Sequence, residues 1–497
     1  MKLSYARWLV PLWGLTMVYS GTVSAQTATD KVPKPSSDSC YVNGLSDRLR
    51  CGSVEVAENP NKPDGRKIAI HYVVIPAIKN LAPQEAVLGI AGGPGQSAID
   101  NAAGFERMLS KVHQHRDILL IDQRGTGQSN PLACDSDNLT EMLAHDDEAV
   151  DIAAETRKCK QQLQSHADIT QYGSEQALQD FEAVRHHLGY QKLHLYGVSY
   201  GTRMAQLYMR DYPQALSTVT LDGVVPMQQS VLAIGSAIAR AQTLVISDCE
   251  QDALCGKTFP KLRQELQELS ESLHQYPVME KIHHPVTGET ALLTLTRDKL
   301  LGALRLALYS PSIRALIPFA IHQAYRKNYQ PLLGLLSLQS GAIDLAMGMH
   351  AAVVCGEDWP RLTSAQRQQA EQSVVGKVML QSIDESCPIW QIPPAPKEFG
   401  TPIASNIPTL LLSGEKDPAT PPAWAEMAMT KLTQAKHLVS PYATHNVAAQ
   451  SCAGDLIAKL VETGSINQID GKCLKKDVRR SFYLNASTVE AMPEGLQ

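Results

Sequence analysis

Near the middle of this chain an apolar run, a tight turn and an amphipathic segment follow one another with no residue to spare. Leu193–Tyr196 reads as a buried strand, Gly197-Val198-Ser199-Tyr200-Gly201 as the turn, and Thr202–Arg210 as a helix that stops ahead of Pro213. A strand that feeds a helix through so sharp a turn forces the central side chain outward into an open site. The flanking glycines stand where a β-carbon would collide with neighbouring elements. Other short apolar runs follow the same plan. Ala86–Ile90 and Ile118–Ile121 each end at a glycine-bearing loop, and Thr218–Leu221 follows the helix. Ser174–Leu188 carries Ala177, Leu178, Phe181, Val184 and Leu188 on one face, with Ser174 placed to cap and Gly189 beyond the end. Strands alternating with helices predict an α/β core around a mainly parallel sheet.

That alternation is local. Before it, Ser53–Val56 and Ile68–Ile75 flank the turn-rich Asn59–Gly65 segment and read as a hairpin. After about residue 225 the pattern becomes helical, for example at Arg263–His274 and Asp298–Leu308, until a buried strand returns at Ile407–Leu412. The expected organisation is a first core part at 26–225, a helical lid at 226–400 and a second core part at 401–497. Residues 1–25 are set apart. Lys2 and Arg7 precede an apolar stretch from Trp8 to Val18, and Val23-Ser24-Ala25 stands ahead of Gln26, the pattern of a secretory signal. No cysteine follows that site, so a lipid anchor is not expected. The predicted location is the periplasm or the medium.

The ten cysteines agree with export. They fall into neighbouring couples, Cys40–Cys51, Cys134–Cys159, Cys249–Cys255, Cys355–Cys387 and Cys452–Cys473, and are expected to be structural disulfides. No Cys-x-x-Cys or His-Glu-x-x-His spacing exists, so no metal is expected. With 45 basic and 50 acidic residues and no basic stripe, nucleic acid is an unsuitable partner. The expected partner is a peptide or small-molecule substrate. No cofactor, and no stable membrane anchor, is implied.

The turn supplies the chemistry. Ser199 is the expected nucleophile, with the N–H of Tyr200 at a helix N-terminus facing developing negative charge. A second donor is expected from Ala91-Gly92-Gly93-Pro94-Gly95, with Gly93 preferred. An acid and a base should follow in chain order. Asp417 leaves the strand at Ile407–Leu412, with Glu415 as its rival and Thr420 placed to hydrogen-bond it. His445 follows the apolar Leu438-Val439, whereas His437 lies too near that strand's start and His186 and His187 sit on a surface helix. In this scheme His445 takes the Ser199 proton and later hands it to the leaving group. In Cys355-Gly356-Glu357-Asp358-Trp359, two acids stand beside an aromatic next to a tethered cysteine. Glu357 first, and Asp358 second, are expected to bind a substrate α-ammonium.

Together, Ala91–Gly95, Asp122-Gln123-Arg124-Gly125-Thr126-Gly127-Gln128-Ser129, Gly197–Gly201 and Gly414-Glu415-Lys416-Asp417 resemble the α/β-hydrolase peptidases. The resemblance is to the prolyl aminopeptidase and tripeptidyl aminopeptidase branch, especially exported members with a TAP-like C-terminal region, and covers about residues 40–475. One departure is Ala91, where members often carry histidine. The resemblance implies an α/β-hydrolase fold whose helical insertion acts as a lid, and release of N-terminal residues or short peptides. A carboxylesterase using the same triad on small esters is the alternative. The lid must separate the two, because a peptidase of this type needs an anion for the amine.

Overall fold

The computed structural model describes residues 38–135, 137–337, 345–476 and 480–486; the expected signal peptide at 1–25 lies outside them. The first strands are β1 (Asp38–Cys40), β2 (Leu49–Ala57) and β3 (Lys67–Ile75), with β2 antiparallel to both neighbours. Then come β4 (Glu85–Ile90), β5 (Asp117–Ile121), β6 (Lys192–Val198) and β7 (Leu216–Asp222). A separate two-stranded ribbon, β8 (Val278–His283) and β9 (Thr290–Leu295), precedes β10 (Thr409–Gly414) and β11 (Ala435–Ser440).

The main sheet has the order β1-β2-β3-β5-β4-β6-β7-β10-β11. Every pairing from β5 to β11 is parallel, while β3 meets β5 antiparallel. Because side chains alternate along a strand, one apolar run serves two cores. Leu119, Leu195 and Leu411 face one side of the sheet, and Ile118, Leu120, Leu410 and Leu412 the other.

Helices cover both faces. α1 (Ala102–Met108) buries Phe105 and Met108 against the second face. α2 (Ser174–Leu188) and α3 (Tyr200–Asp211) bury Phe181, Val184, Met204 and Leu207 against the first. Gly189 closes α2 in the left-handed conformation, φ 74°.

Between β7 and β10 lies an inserted, mainly helical region. It includes α4 (Ile234–Gln251), α5 (Arg297–Ala307), α6 (Met347–Val353) and α7 (Val374–Trp390). α8 (Ala453–Thr463) returns to the sheet and buries Leu456, Ile457 and Leu460 there. The insertion has its own apolar cluster around Val245, Phe259, Leu269, Leu304 and Leu332. Val231–Gln251 is long and apolar enough to cross a membrane by length and composition, yet Ala241, Val245, Ile246 and Cys249 are buried in this cluster.

The ribbon adds two strands, not picked out in the sequence, to a region expected to be mostly helical. In β9, Ala291, Leu293 and Leu295 point inward, while Leu292 is 60% exposed. That outward leucine, between the outward Thr290 and Thr294, interrupts the alternation and blurs its period of two.

All ten cysteines are bonded, as Cys40–Cys51, Cys134–Cys159, Cys249–Cys255, Cys355–Cys387 and Cys452–Cys473. Such a framework persists in an oxidising environment, which makes this an extracytoplasmic protein.

Candidate active site

β6 runs straight into Ser199, whose backbone adopts φ 56° and ψ −124°. That is a strained conformation for a residue with a β-carbon, and it is held by packing on both sides. A Cβ on Gly197 would lie 2.4 Å from the Gly201 carbonyl oxygen, and one on Gly201 would lie 2.3 Å from the Ile90 oxygen. The Ser199 N–H donates to the Asp222 carbonyl at 2.9 Å, tying the turn to the end of β7. Tyr200 opens α3, so its N–H belongs to the first turn, where helical donors have no carbonyl within the helix.

The Ala91–Gly95 loop leaves β4, the strand beside β6. The insertion braces it: the Ala346 N–H donates to the Gly95 carbonyl at 3.0 Å, and His350 Nδ1 donates to the Pro94 carbonyl at 3.0 Å. Gly93, Ser199 and His445 line one cavity of about 600 Å³.

Asp417 lies behind that cavity, fully buried. Its Oδ1 accepts the N–H groups of Ala419 (2.7 Å) and Thr420 (2.9 Å), and its Oδ2 accepts the Thr420 hydroxyl at 2.8 Å. His445 Nδ1 stands 2.9 Å from the same Oδ2. A carboxylate held by so many donors fixes the imidazole with Nδ1 protonated and leaves Nε2 as the free base. Burial works against an imidazolium here. The charge and hydrogen bond of Asp417, with Asp222 beyond, nonetheless hold the His445 pKa above its ordinary 6.5. The rival Glu415 turns away and pairs with Arg240 at 2.8 Å. His437 engages Glu426 and the Ser413 hydroxyl.

Three supporting groups join the residues expected from the sequence. Asp222, at the end of β7, accepts the N–H groups of Val447 (2.8 Å) and Ala448 (2.9 Å) and the Tyr196 hydroxyl (3.0 Å). It thereby fixes the loop that carries His445. Burial pushes its pKa up to about 6 in spite of those donors. Tyr309, from the insertion, packs edge-on against the His445 ring at 5.3 Å, and its carbonyl accepts the Thr444 hydroxyl at 2.6 Å. Gln450 donates to the His445 carbonyl. An acid ending a buried strand beside the elbow, as in Leu221-Asp222-Gly223, is a legible signal for the first; nothing local marks the other two.

Glu357 and Asp358 require a correction, because neither lines this cavity. A π-helical turn over Val354–Asp358 points both inward, leaving them 4% and 0% exposed. Asp358 forms a two-pronged pair with Arg203 on α3, at 2.8 and 3.1 Å, and accepts the Val231 N–H at 2.9 Å. Glu357 accepts the Ser174 N–H at 2.7 Å and its hydroxyl at 2.8 Å. The tethered acids therefore bind the insertion to two core helices, Glu357 to α2 and Asp358 to α3. Ser174 does not cap α2; Gly173 takes that position. The Ser174 hydroxyl links Glu357 to the Tyr200 hydroxyl, 2.6 Å away. Burial pushes the Glu357 pKa up to about 7, although Arg203 and the Ser174 bonds oppose it.

Residues 85–254 match the alpha/beta hydrolase fold family and residues 372–473 the TAP-like protein family. The chain is an α/β hydrolase with a TAP-like C-terminal region. This α/β hydrolase is 25% identical over 404 residues to the serine protease Hip1 of Mycobacterium tuberculosis, covering 75% of this chain and 76% of that one. It is 24% identical over 196 residues to the tripeptidyl aminopeptidase of Streptomyces lividans, covering 36% of this chain and 35% of the relative. A proline iminopeptidase of Neisseria gonorrhoeae is 28% identical over 138 residues, 28% of this chain and 32% of the relative. The TAP-like match begins two residues before α7 and runs through Asp417 and His445.

Proposed function

We propose that this serine hydrolase is an exported peptidase that trims short peptides or residues from chain N-termini through an acyl-enzyme on Ser199. The observation that carries the reading is the buried His445–Asp417 pair opening into the cavity that holds Ser199 and Gly93. His445 Nε2 accepts the Ser199 proton as the hydroxyl attacks a carbonyl. The N–H groups of Tyr200 and Gly93 take the oxyanion, and the imidazolium returns its proton to the leaving amine. Water then repeats the sequence to release the acid. The names of the relatives support a peptide substrate, and the insertion, read as a lid over 226–400, would set how much chain enters.

A carboxylesterase is the second reading, and one observation favours it. Among the described residues no carboxylate lines the cavity, so an ammonium finds no anionic partner there. One panel separates the two. A fluorophosphonate probe should label the protein and not Ser199→Ala. Free-amine peptidyl amides should then outrun both their N-acetylated counterparts and simple acyl esters. Labelling at another serine defeats the assignment, and faster turnover of blocked or ester substrates moves the protein to the esterase reading.

A further inference from the structure

The charge inside the cavity runs opposite to the charge of the chain. The protein carries a formal −5, yet the charged side chains lining the Ser199 cavity among the described residues are Arg107 and Arg305. The neighbouring depression, which shares Pro311 with this cavity, adds Arg314, Lys416 and Arg480 against Asp248. Two cations on one cavity repel each other and attract a substrate anion, most strongly where low-dielectric walls such as Ile234, Leu306 and Ile313 focus the field.

Arg305 is the better placed of the two. It sits on α5 one turn before Tyr309, the residue whose ring packs against His445, and its charge acts on that tyrosine's hydroxyl. A guanidinium presents a fork of donors that matches a carboxylate. Arg107, at the end of α1, is exposed and faces the cavity from the sheet side.

We infer that Arg305, assisted by Arg107, is a specificity-determining anion anchor, and that the preferred substrate carries a carboxylate within reach of the scissile carbonyl. This rests on the acyl-enzyme reading above and holds in its peptidase and its esterase form. The carboxylate belongs either to an acidic side chain beside the scissile bond or to a nearby chain terminus.

The test compares charged and neutral substrates of matched shape. Mono-p-nitrophenyl adipate is set against p-nitrophenyl hexanoate. Short peptides carrying Glu or Gln beside the cleaved bond are each made with a free or an amidated C-terminus. One partly shielded charge-assisted hydrogen bond predicts that kcat/KM favours the carboxylate by about tenfold or more. Arg305→Gln should bring that ratio to near one, Arg305→Lys should restore part of it, and Arg107→Gln should lower it less. The peptide arms assign the source, since a side-chain anchor responds to Glu and a terminal anchor to amidation. Equal kcat/KM on charged and neutral partners by the parent enzyme overturns the inference, as does a ratio that survives both arginine variants. Fluorophosphonate labelling of Ser199, run on the same samples, reports separately on the acyl-enzyme reading, so a labelled enzyme without charge preference defeats the anchor alone.

Discussion

Replacing Glu357 with glutamine should make the protein more tolerant of alkaline pH, by an amount the structure specifies. Burial, opposed by Arg203 and the two Ser174 bonds, lifts the carboxyl from its ordinary 4.5 to about 7. A raised acid pKa means that the folded state holds the proton more tightly than the unfolded chain. The stability tied to this group is therefore complete below pH 4.5 and is lost as pH rises through about 7. At about 1.36 kcal/mol per pH unit, the interval between those values corresponds to about 3 kcal/mol. Glutamine has the shape of the protonated acid and does not titrate. The unfolding free energy of Glu357→Gln minus that of the parent should thus grow by about 3 kcal/mol between pH 4.5 and 8. Asp222 and the other titrating groups are common to both proteins and cancel. Any difference in hydrogen bonding to Ser174 shifts the whole curve without changing its slope. Urea unfolding followed by tryptophan fluorescence, with disulfides intact, measures this at each pH. A difference constant to within about 0.5 kcal/mol across the range would show that Glu357 titrates as a solvated acid, and the burial argument would fail.

Asp417→Asn should lower kcat by about 10³- to 10⁴-fold with KM little changed, because the amide favours the wrong imidazole tautomer; a loss under about tenfold in steady-state assays would displace Asp417 from that role. The acid limb of kcat/KM should have its midpoint above 6.5, since the free imidazole is the base and Asp417 and Asp222 favour its protonated form. Asp222→Asn should move that midpoint down, and a pH–rate profile that shifts up or stays put contradicts the assignment. Removing Cys355–Cys387 as a paired serine variant should cost about 3–4 kcal/mol of unfolding free energy on the chain-entropy estimate for a loop of its 32-residue separation. Guanidinium titration checks it, and an unchanged midpoint would show that the Arg203–Asp358 pair alone holds this segment.

Much of the sheet is legible in the sequence because its strands bury both faces, so each reads as an uninterrupted apolar run ending at a glycine. The Ser199 turn is legible for a local reason as well, since Gly197 and Gly201 record backbone contacts within the motif and with β4. Asp417 and His445 follow from chain order. What stays hidden depends on contacts distant in sequence. Nothing near Glu357 announces that Arg203 and Ser174, more than 150 positions earlier, will take up its charge and its neighbour's. The one cation close in sequence, Arg361, reaches Asp358 only at 3.6 Å, so the local sequence does not show the partners that take up both acids. Arg305 is hidden for the converse reason: on an amphipathic helix an arginine reads as solvated, and only the packing of Tyr309 against His445 shows which space it faces.

The disulfide pattern has a consequence for how this chain is made. Ten thiols can be joined in about 945 ways, and the bonded set links each cysteine to the next one along the chain. A chain that enters an oxidising compartment from its N-terminus presents its thiols in that same order. The correct partner is then always the most recent arrival, so an oxidant that joins neighbours as they emerge yields the native set directly. Production in an oxidising compartment should not depend on a catalyst that reshuffles wrong bonds, whereas refolding the fully reduced chain, where all ten thiols compete at once, should depend on one.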